Sequence, residues 1–237
     1  MNIPYRTKEK WIGKFVAGKN VLDLGCVCHE LDKGDRPWLH GFICKHAESV
    51  LGVDYLPDEV VKMQERGYRA ICENVEEMNI GKTFDVVVAG DILEHLSNLG
   101  RFFERVQAHL KPGGLLLVTT PNPLTFVRFV RVLLKGKEGA NREHTCWFTS
   151  KVLRQLAQRY GFSVAEEAYL DDIRLSYTLF PRIPTHGGVV RRTFRRFYKF
   201  SGRLLWQPAV LTNSLLCLVR PQLAETLCMA FTYEEKP

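Results

Sequence analysis

Val21-Leu22-Asp23-Leu24-Gly25 and then Val50-Leu51-Gly52-Val53-Asp54 are the stretches whose reading decides the fold. Each is a short apolar run, the first ending on a glycine and the second on a carboxylate. They read as the first two parallel strands of a doubly wound α/β sheet, in which ligands bind outside the carboxyl ends of the strands. Gly25 and Asp54 then stand at the rim of one crevice, each followed by a neighbour on the same rim, Cys26 and Tyr55.

The residues at that rim discriminate among ligands. A dinucleotide site needs G-x-G-x-x-G, because the pyrophosphate lies against bare backbone at a helix N-terminus. Here Val27 stands at the second glycine position, and Cys28-His29-Glu30 fill the region of the third. A carboxylate ending the second strand suits a ribose diol, since an ionised acceptor takes both hydroxyl hydrogen bonds, each worth about 1.5–3 kcal/mol. The pattern is that of a nucleoside without a pyrophosphate. S-adenosylmethionine fits it, with its amino-acid tail near Asp23 and Gly25; a nicotinamide dinucleotide fits it poorly.

Four segments together make the chain resemble the class I S-adenosylmethionine-dependent methyltransferases. VLDLGC (21–26) is similar to their first motif and GVDY (52–55) to their acidic second motif. FDVVVAGDILEHL (84–96) and LKPGGLLLVTTPNP (110–123) are similar to their fourth and fifth strands. The likeness covers roughly residues 10–170 and a last strand near the C-terminus. It implies a seven-stranded, mostly parallel, Rossmann-like sheet with an antiparallel last strand, and S-adenosylmethionine as cofactor. Val27 departs from the family pattern and implies a reshaped first loop.

The resemblance also implies roles. Asn74 matches the position that meets the adenine amino group, with the Val75 backbone amide beside it. Gly90 allows close approach to the methionine part of the cofactor, and Asp91 faces the crevice. Glu94 and His95 brace this loop. A histidine ahead of the sixth helix faces the acceptor in related small-molecule enzymes, which makes His144 the first candidate for general base, ahead of Asp91 and His40.

At 237 residues with 46% apolar content, the chain reads as one globular domain. Met1 to Lys10 is polar and charged, and no apolar run reaches about 18–20 residues, so a soluble cytoplasmic protein is expected. The seven cysteines are odd in number and show no repeated C-x-x-C spacing, which argues for reduced, buried thiols and against disulfides or structural zinc. No residue pattern indicates a metal.

Along the chain, helices are expected over 6–17, 40–47, 57–66, 98–110, 126–134 and 150–160. Further strands are expected over 68–72, 84–89, 115–120, 162–170 and 225–233. The connection from Cys26 to Leu39 has two readings. Either Arg36, Trp38 and His40 help to wall the site, or the loop is simply pinned by Trp38.

Charge is uneven. From Arg182 to Arg220 there are seven arginines, one lysine and no acid, against a net charge of +7 for the whole chain. This basic helical insertion, 171–221, carries an amphipathic stripe over 189–206. It is open to three readings: a substrate lid, contact with an anionic membrane at its inner face, or, less well matched to its bulky aromatics, contact with nucleic acid.

No N/D-P-P-Y/F stretch follows the fourth strand; GDILEH stands there instead. That favours an oxygen acceptor on a small molecule, sugar or lipid-linked glycan. A methyltransferase of RNA or protein and a non-catalytic cofactor-binding protein are the competing readings. No stretch speaks to oligomeric state.

Overall fold

The computed structural model of the chain describes residues 7–27, 38–137, 139–170 and 207–234. Arg36 and the basic stripe over 189–206 lie outside the described residues. The elements run α1 (Lys8–Val16), β1 (Asn20–Leu24), α2 (Leu39–His46), β2 (Ser49–Asp54), α3 (Pro57–Glu65), β3 (Ala70–Cys72) and β4 (Phe84–Gly90). After a short 3₁₀ turn at Leu93–His95 come α4 (Leu99–His109), β5 (Leu110–Pro121), α5 (Phe126–Lys135), α6 (Ser150–Arg159), β6 (Phe162–Leu170), α7 (Gln207–Val219), a second 3₁₀ turn (Pro221–Leu223) and β7 (Thr226–Tyr233).

The strands form one seven-stranded sheet in the order β3-β2-β1-β4-β5-β7-β6. The first five pair in parallel, and β7 runs antiparallel to both β5 and β6. This is the Rossmann-like arrangement that the apolar runs imply.

The runs are continuous because both faces are covered. Val21, Val86, Val88 and Leu117 pack with Trp11, Ile12 and Val16 of α1 and Ile43 of α2. Their neighbours Leu22, Leu24, Val87, Ala89, Leu116 and Val118 pack on the other face with Phe102, Phe103 and Val106 of α4 and Leu153 and Ala157 of α6. Four helices begin where a side chain can take an orphan N–H: Thr7, Asn98, Thr125 and Thr149 accept from Lys10, Arg101, Arg128 and Val152.

Register brings the site together. Leu24 of β1 lies opposite Val53 of β2 and Ala89 of β4, so Gly25, Asp54 and Gly90 leave the sheet side by side. Two boundaries differ from the sequence reading. Lys111-Pro112-Gly113-Gly114 lies inside β5, not before it: Leu110 still pairs with Phe84, and the irregularity that accommodates Gly113 at φ +72° falls between Phe84 and Val86. Strand β3 is shorter than expected, because Tyr68 turns instead to pack edge-on against Trp38, centroids 4.7 Å apart.

Among the described residues no helix is long and apolar enough to cross a membrane. The floor of the crevice is tightly filled at Gly52, where a Cβ would meet Cys26 Sγ at 2.6 Å, His40 Cε1 at 3.0 Å and Cys26 Cβ at 3.1 Å. Gly52→Ala is therefore expected to destabilise the chain by about 1–3 kcal/mol, the cost of overpacking a filled core. Chemical denaturation reads this; an unchanged midpoint and slope would show that the floor has room.

Candidate active site

The chain turns sharply as it leaves β1. Gly25 has φ +72°, and its N–H donates to Val53 O at 2.9 Å, which folds the first loop over the end of β2. A Cβ there would also approach Ile92 Cδ1 to 3.0 Å, so the glycine serves both the turn and the close packing. Asp54 closes the same corner. Its Oδ2 accepts from Val27 N at 3.0 Å and its Oδ1 from Leu56 N at 3.2 Å, tying the loops after β1 and β2 together.

These residues border a cleft of about 830 Å³, within the range of small-molecule sites. Gly25, Asp54, Tyr55, Asn74 and Val75 line one part, and Gly90, Asp91, His95, Asn141 and Glu143 line another. Asp54 is only 6% exposed, yet an ionised carboxylate has about four acceptor positions and the two loop amides use two of them. The remainder suit a ribose diol. Asn74 turns its Oδ1 back to accept from Glu76 N at 3.0 Å, forming a small turn beside Val75.

Asp91 is held in a strained conformation. It is the one non-glycine among the described residues with positive φ, at 53°, and its N–H donates to Thr119 O at 2.8 Å. Thr119 Oγ1 donates to Asp91 Oδ1 at 2.9 Å, and Lys8 of α1 forms an ion pair with Oδ2. Glu94 lies 1% exposed just beyond, accepting from Thr120 Oγ1 at 3.0 Å. Burial first, and then the charge of Asp91, push its carboxyl up to about 7.

A return of the chain is pinned onto this turn. Thr145 N and Oγ1 donate to Glu94 O at 2.7 and 3.2 Å, and Thr145 Oγ1 is also 2.7 Å from Leu96 O. His144 is thereby set edge-on to His95, ring centroids 4.8 Å apart, and to Trp147 at 5.6 Å. The Trp147 ring in turn carries the Arg128 guanidinium at 4.3 Å. Burial, then the charges of His95 and Arg128, lower the His144 pKa below its ordinary value. Glu94, His95 and His144 bring one donor atom each to within 4.8 Å of one another, the one grouping among the described residues that could also hold a divalent cation.

Other candidate residues sit elsewhere. His40 is 1% exposed, and its Nδ1 lies 2.8 Å from Asp23 Oδ2 beneath the first loop. Neither residue lines the cleft, and neither does Cys26, whose thiol packs 3.9 Å from Met63 Sδ. Burial works against a charge on His40, but its hydrogen bond to Asp23, with Cys44 nearby, outweighs it and raises the pKa to about 9. The ring acts as a buried brace on Asp23. Trp38 donates from Nε1 to Cys26 O at 2.9 Å, and neither Trp38 nor His40 is among the residues that line the cleft, whereas Val27 is. His144 stands next to the wall through His95 and Glu143. His95, which the sequence reading has as a brace of its loop, lines the wall, and Asn141 and Glu143 are wall residues that the sequence reading did not assign. Only the proximity of Glu143 to His144 hinted at them.

Comparison with known proteins agrees with this geometry. A family model described as a methyltransferase domain matches residues 6–167. Over 117 residues the chain is 32% identical to a ubiquinone biosynthesis O-methyltransferase of Bradyrhizobium sp. (strain ORS 278), covering 45% of this chain and 42% of that one. Over 154 residues it is 29% identical to a probable S-adenosylmethionine-dependent methyltransferase of Mycolicibacterium smegmatis, covering 63% and 54%. The chain thus spans about half the length of the curated relatives that it matches, or less. Among solved structures it is similar in fold to a SAM-dependent methyltransferase from Archaeoglobus fulgidus, with TM-score 0.58, 16% identity and coverage of 94% and 90%. The N-methyltransferase NodS of Bradyrhizobium japonicum WM9, in complex with S-adenosyl-L-homocysteine, has TM-score 0.51 at 12% identity, with coverage of 96% and 86%.

The raised Glu94 pKa has a consequence for stability. The folded chain keeps a proton up to about pH 7 that the unfolded chain releases near the ordinary 4.5. Stability therefore declines as pH rises from about 4.5 to 7, by about 3 kcal/mol in all. Glu94→Gln, which cannot ionise, is expected to melt progressively higher than the wild type as pH is raised from the acid to the alkaline side of this window. A difference in Tm that is the same at both ends would contradict the assignment.

Proposed function

Because this chain belongs to the class I S-adenosylmethionine-dependent methyltransferases, we propose that it methylates a hydroxyl oxygen of a small molecule, such as a phenolic or sugar hydroxyl. The observation that carries this reading is the pairing of two parts of one cleft. One part of its lining is the Asp54 carboxylate beside Asn74 and Val75, and another is the His95 imidazole, with the His144 ring edge-on to it.

The residues present fit the cofactor. Asp54 has acceptor positions left for a ribose diol, Tyr55 and Val75 flank the base, and Gly25 and Gly90 offer bare backbone to the amino-acid tail. When bound, S-adenosylmethionine supplies an electrophilic methyl group on a sulfonium leaving group. The task of the protein is then to align acceptor and donor and to keep water out.

An attacking hydroxyl must lose its proton as the new bond forms. A neutral imidazole can accept it near pH 7. His144 is the proposed destination, standing edge-on to His95 beside the cleft wall, where an acceptor hydroxyl bound against that wall would hydrogen-bond to it and pass it the proton. The surroundings that lower the His144 pKa keep the ring unprotonated, which is the state a base needs. Asp91 is tied to Lys8 and Thr119, so its proposed part is to shape the pocket at the tail of the cofactor. The ubiquinone relatives are named as O-methyltransferases, which supports an oxygen acceptor here.

Two outcomes are expected. Asp54→Ala should weaken S-adenosylhomocysteine binding by about tenfold or more, as loss of charge-assisted hydrogen bonds implies; unchanged affinity by calorimetry removes the ribose assignment. His144→Gln should lower kcat by about a hundredfold or more with little change in cofactor affinity. In the wild type, kcat/KM should fall only on the acid side, with a midpoint below 6.5, the ordinary histidine value, and stay flat above pH 7. Wild-type turnover by the variant, or activity that rises on acidification, sinks the base.

A further inference from the structure

Helix α5 is built unlike the other helices that flank the sheet. It follows β5 at the cleft end of the molecule, and none of its residues is buried. Its apolar side chains face outward: Phe129 is 62% exposed, Leu133 70% and Leu134 68%. Helix α7 packs beside it, with buried Asn213 accepting from the Phe126 N–H at 3.0 Å. Leu215, Leu218 and Val219 of α7 are likewise 65–67% exposed. Two neighbouring helices thus leave apolar side chains exposed, where an ordinary amphipathic helix would turn them to the core.

Cations outnumber carboxylates along these two helices, with Glu138 and Glu225 shortly after them. From Asn122 to Lys137 the chain carries Arg128, Arg131, Lys135 and Lys137 and no carboxylate; from Gln207 to Ala224 it carries Arg220 and no carboxylate. Bulky apolar side chains interleaved with cations match the boundary between acyl chains and anionic headgroups. The chain also joins this face to the cleft. Asn122 donates to Gln222 O and Ala224 O beyond α7, each at 2.7 Å, while Asn141 and Glu143, shortly after α5, line the cleft wall.

We propose that α5 and α7 together form a docking face for the surface of an anionic phospholipid bilayer, which holds the mouth of the cleft at the lipid boundary. The proposed face rests on α5 and α7 alone. It does not depend on the acceptor proposed above.

The test uses the full chain and co-sedimentation with vesicles of phosphatidylcholine containing phosphatidylglycerol, against vesicles of phosphatidylcholine alone. Wild-type protein should partition to the anionic vesicles and less so at high salt. The double variant Leu133→Glu, Leu134→Glu should lose about tenfold or more of that partition, while its affinity for S-adenosylhomocysteine stays as in the wild type. Equal behaviour on the two kinds of vesicle, or a double variant that sediments like the wild type, overturns the proposal. So does a wild-type dimer in analytical ultracentrifugation that the double variant dissociates, since the face would then belong to a second copy of the chain. Because none of these readings uses turnover, failure of the membrane proposal is separable from failure of the methyltransferase reading.

Discussion

The site depends on the register of three parallel strands. Because β1 is paired on both sides, Leu24 is level with Val53 and with Ala89, and the chain leaves all three strands at one height. The ladder hydrogen bonds that set this register are buried between two apolar layers, where slipping by one residue would turn every core side chain to the wrong face. Gly25, Asp54 and Gly90 are neighbours for that reason and for no local one. The turn at Gly25 then adds a hydrogen bond to Val53 O, so the first loop is fixed to the second strand as well as to the first.

On that frame the carboxylates have divided tasks. Asp54 joins two loops through Val27 N and Leu56 N and still faces the cleft. Asp23 lies one layer below, buried and paired with His40, and supports the loop without reaching the cleft. Asp91 is tied to Thr119 and Lys8, and Glu94 is enclosed and holds its proton to about pH 7. All three of Asp23, Asp54 and Glu94 are buried, so their partners separate their chemistry: two loop amides and the cleft for Asp54, an imidazole for Asp23, and a single hydroxyl for Glu94, whose carboxyl burial pushes up. The same force acts in the opposite sense on His144, which it keeps uncharged.

The strands were legible because a sheet buried on both faces needs unbroken apolar runs, and each run here ends on the residue that its position demands. Gly25 and Asp54 could be placed at a common rim from those endings alone. His40 could not be placed. Its role depends on Asp23, seventeen residues earlier, and the side chain that meets it is settled by how α2 lies on β1. His95 was hard to read for a related reason, since its neighbour His144 arrives from a distant loop fixed by Thr145 on Glu94 O. The outward face of α5 has the pattern of an amphipathic helix, and pattern alone does not say which face meets the core.

The central claim is that a nucleoside without phosphates is held where β1, β2 and β4 end. A crystal structure of the chain soaked with S-adenosylhomocysteine tests it most directly. The account predicts both ribose hydroxyls within hydrogen-bond distance of the Asp54 carboxylate, with Val27 N and Leu56 N still bonded to it and the adenine against Val75. A nucleoside bound elsewhere, or an Asp54 that contacts only the two loop amides while the ligand is present, would contradict it.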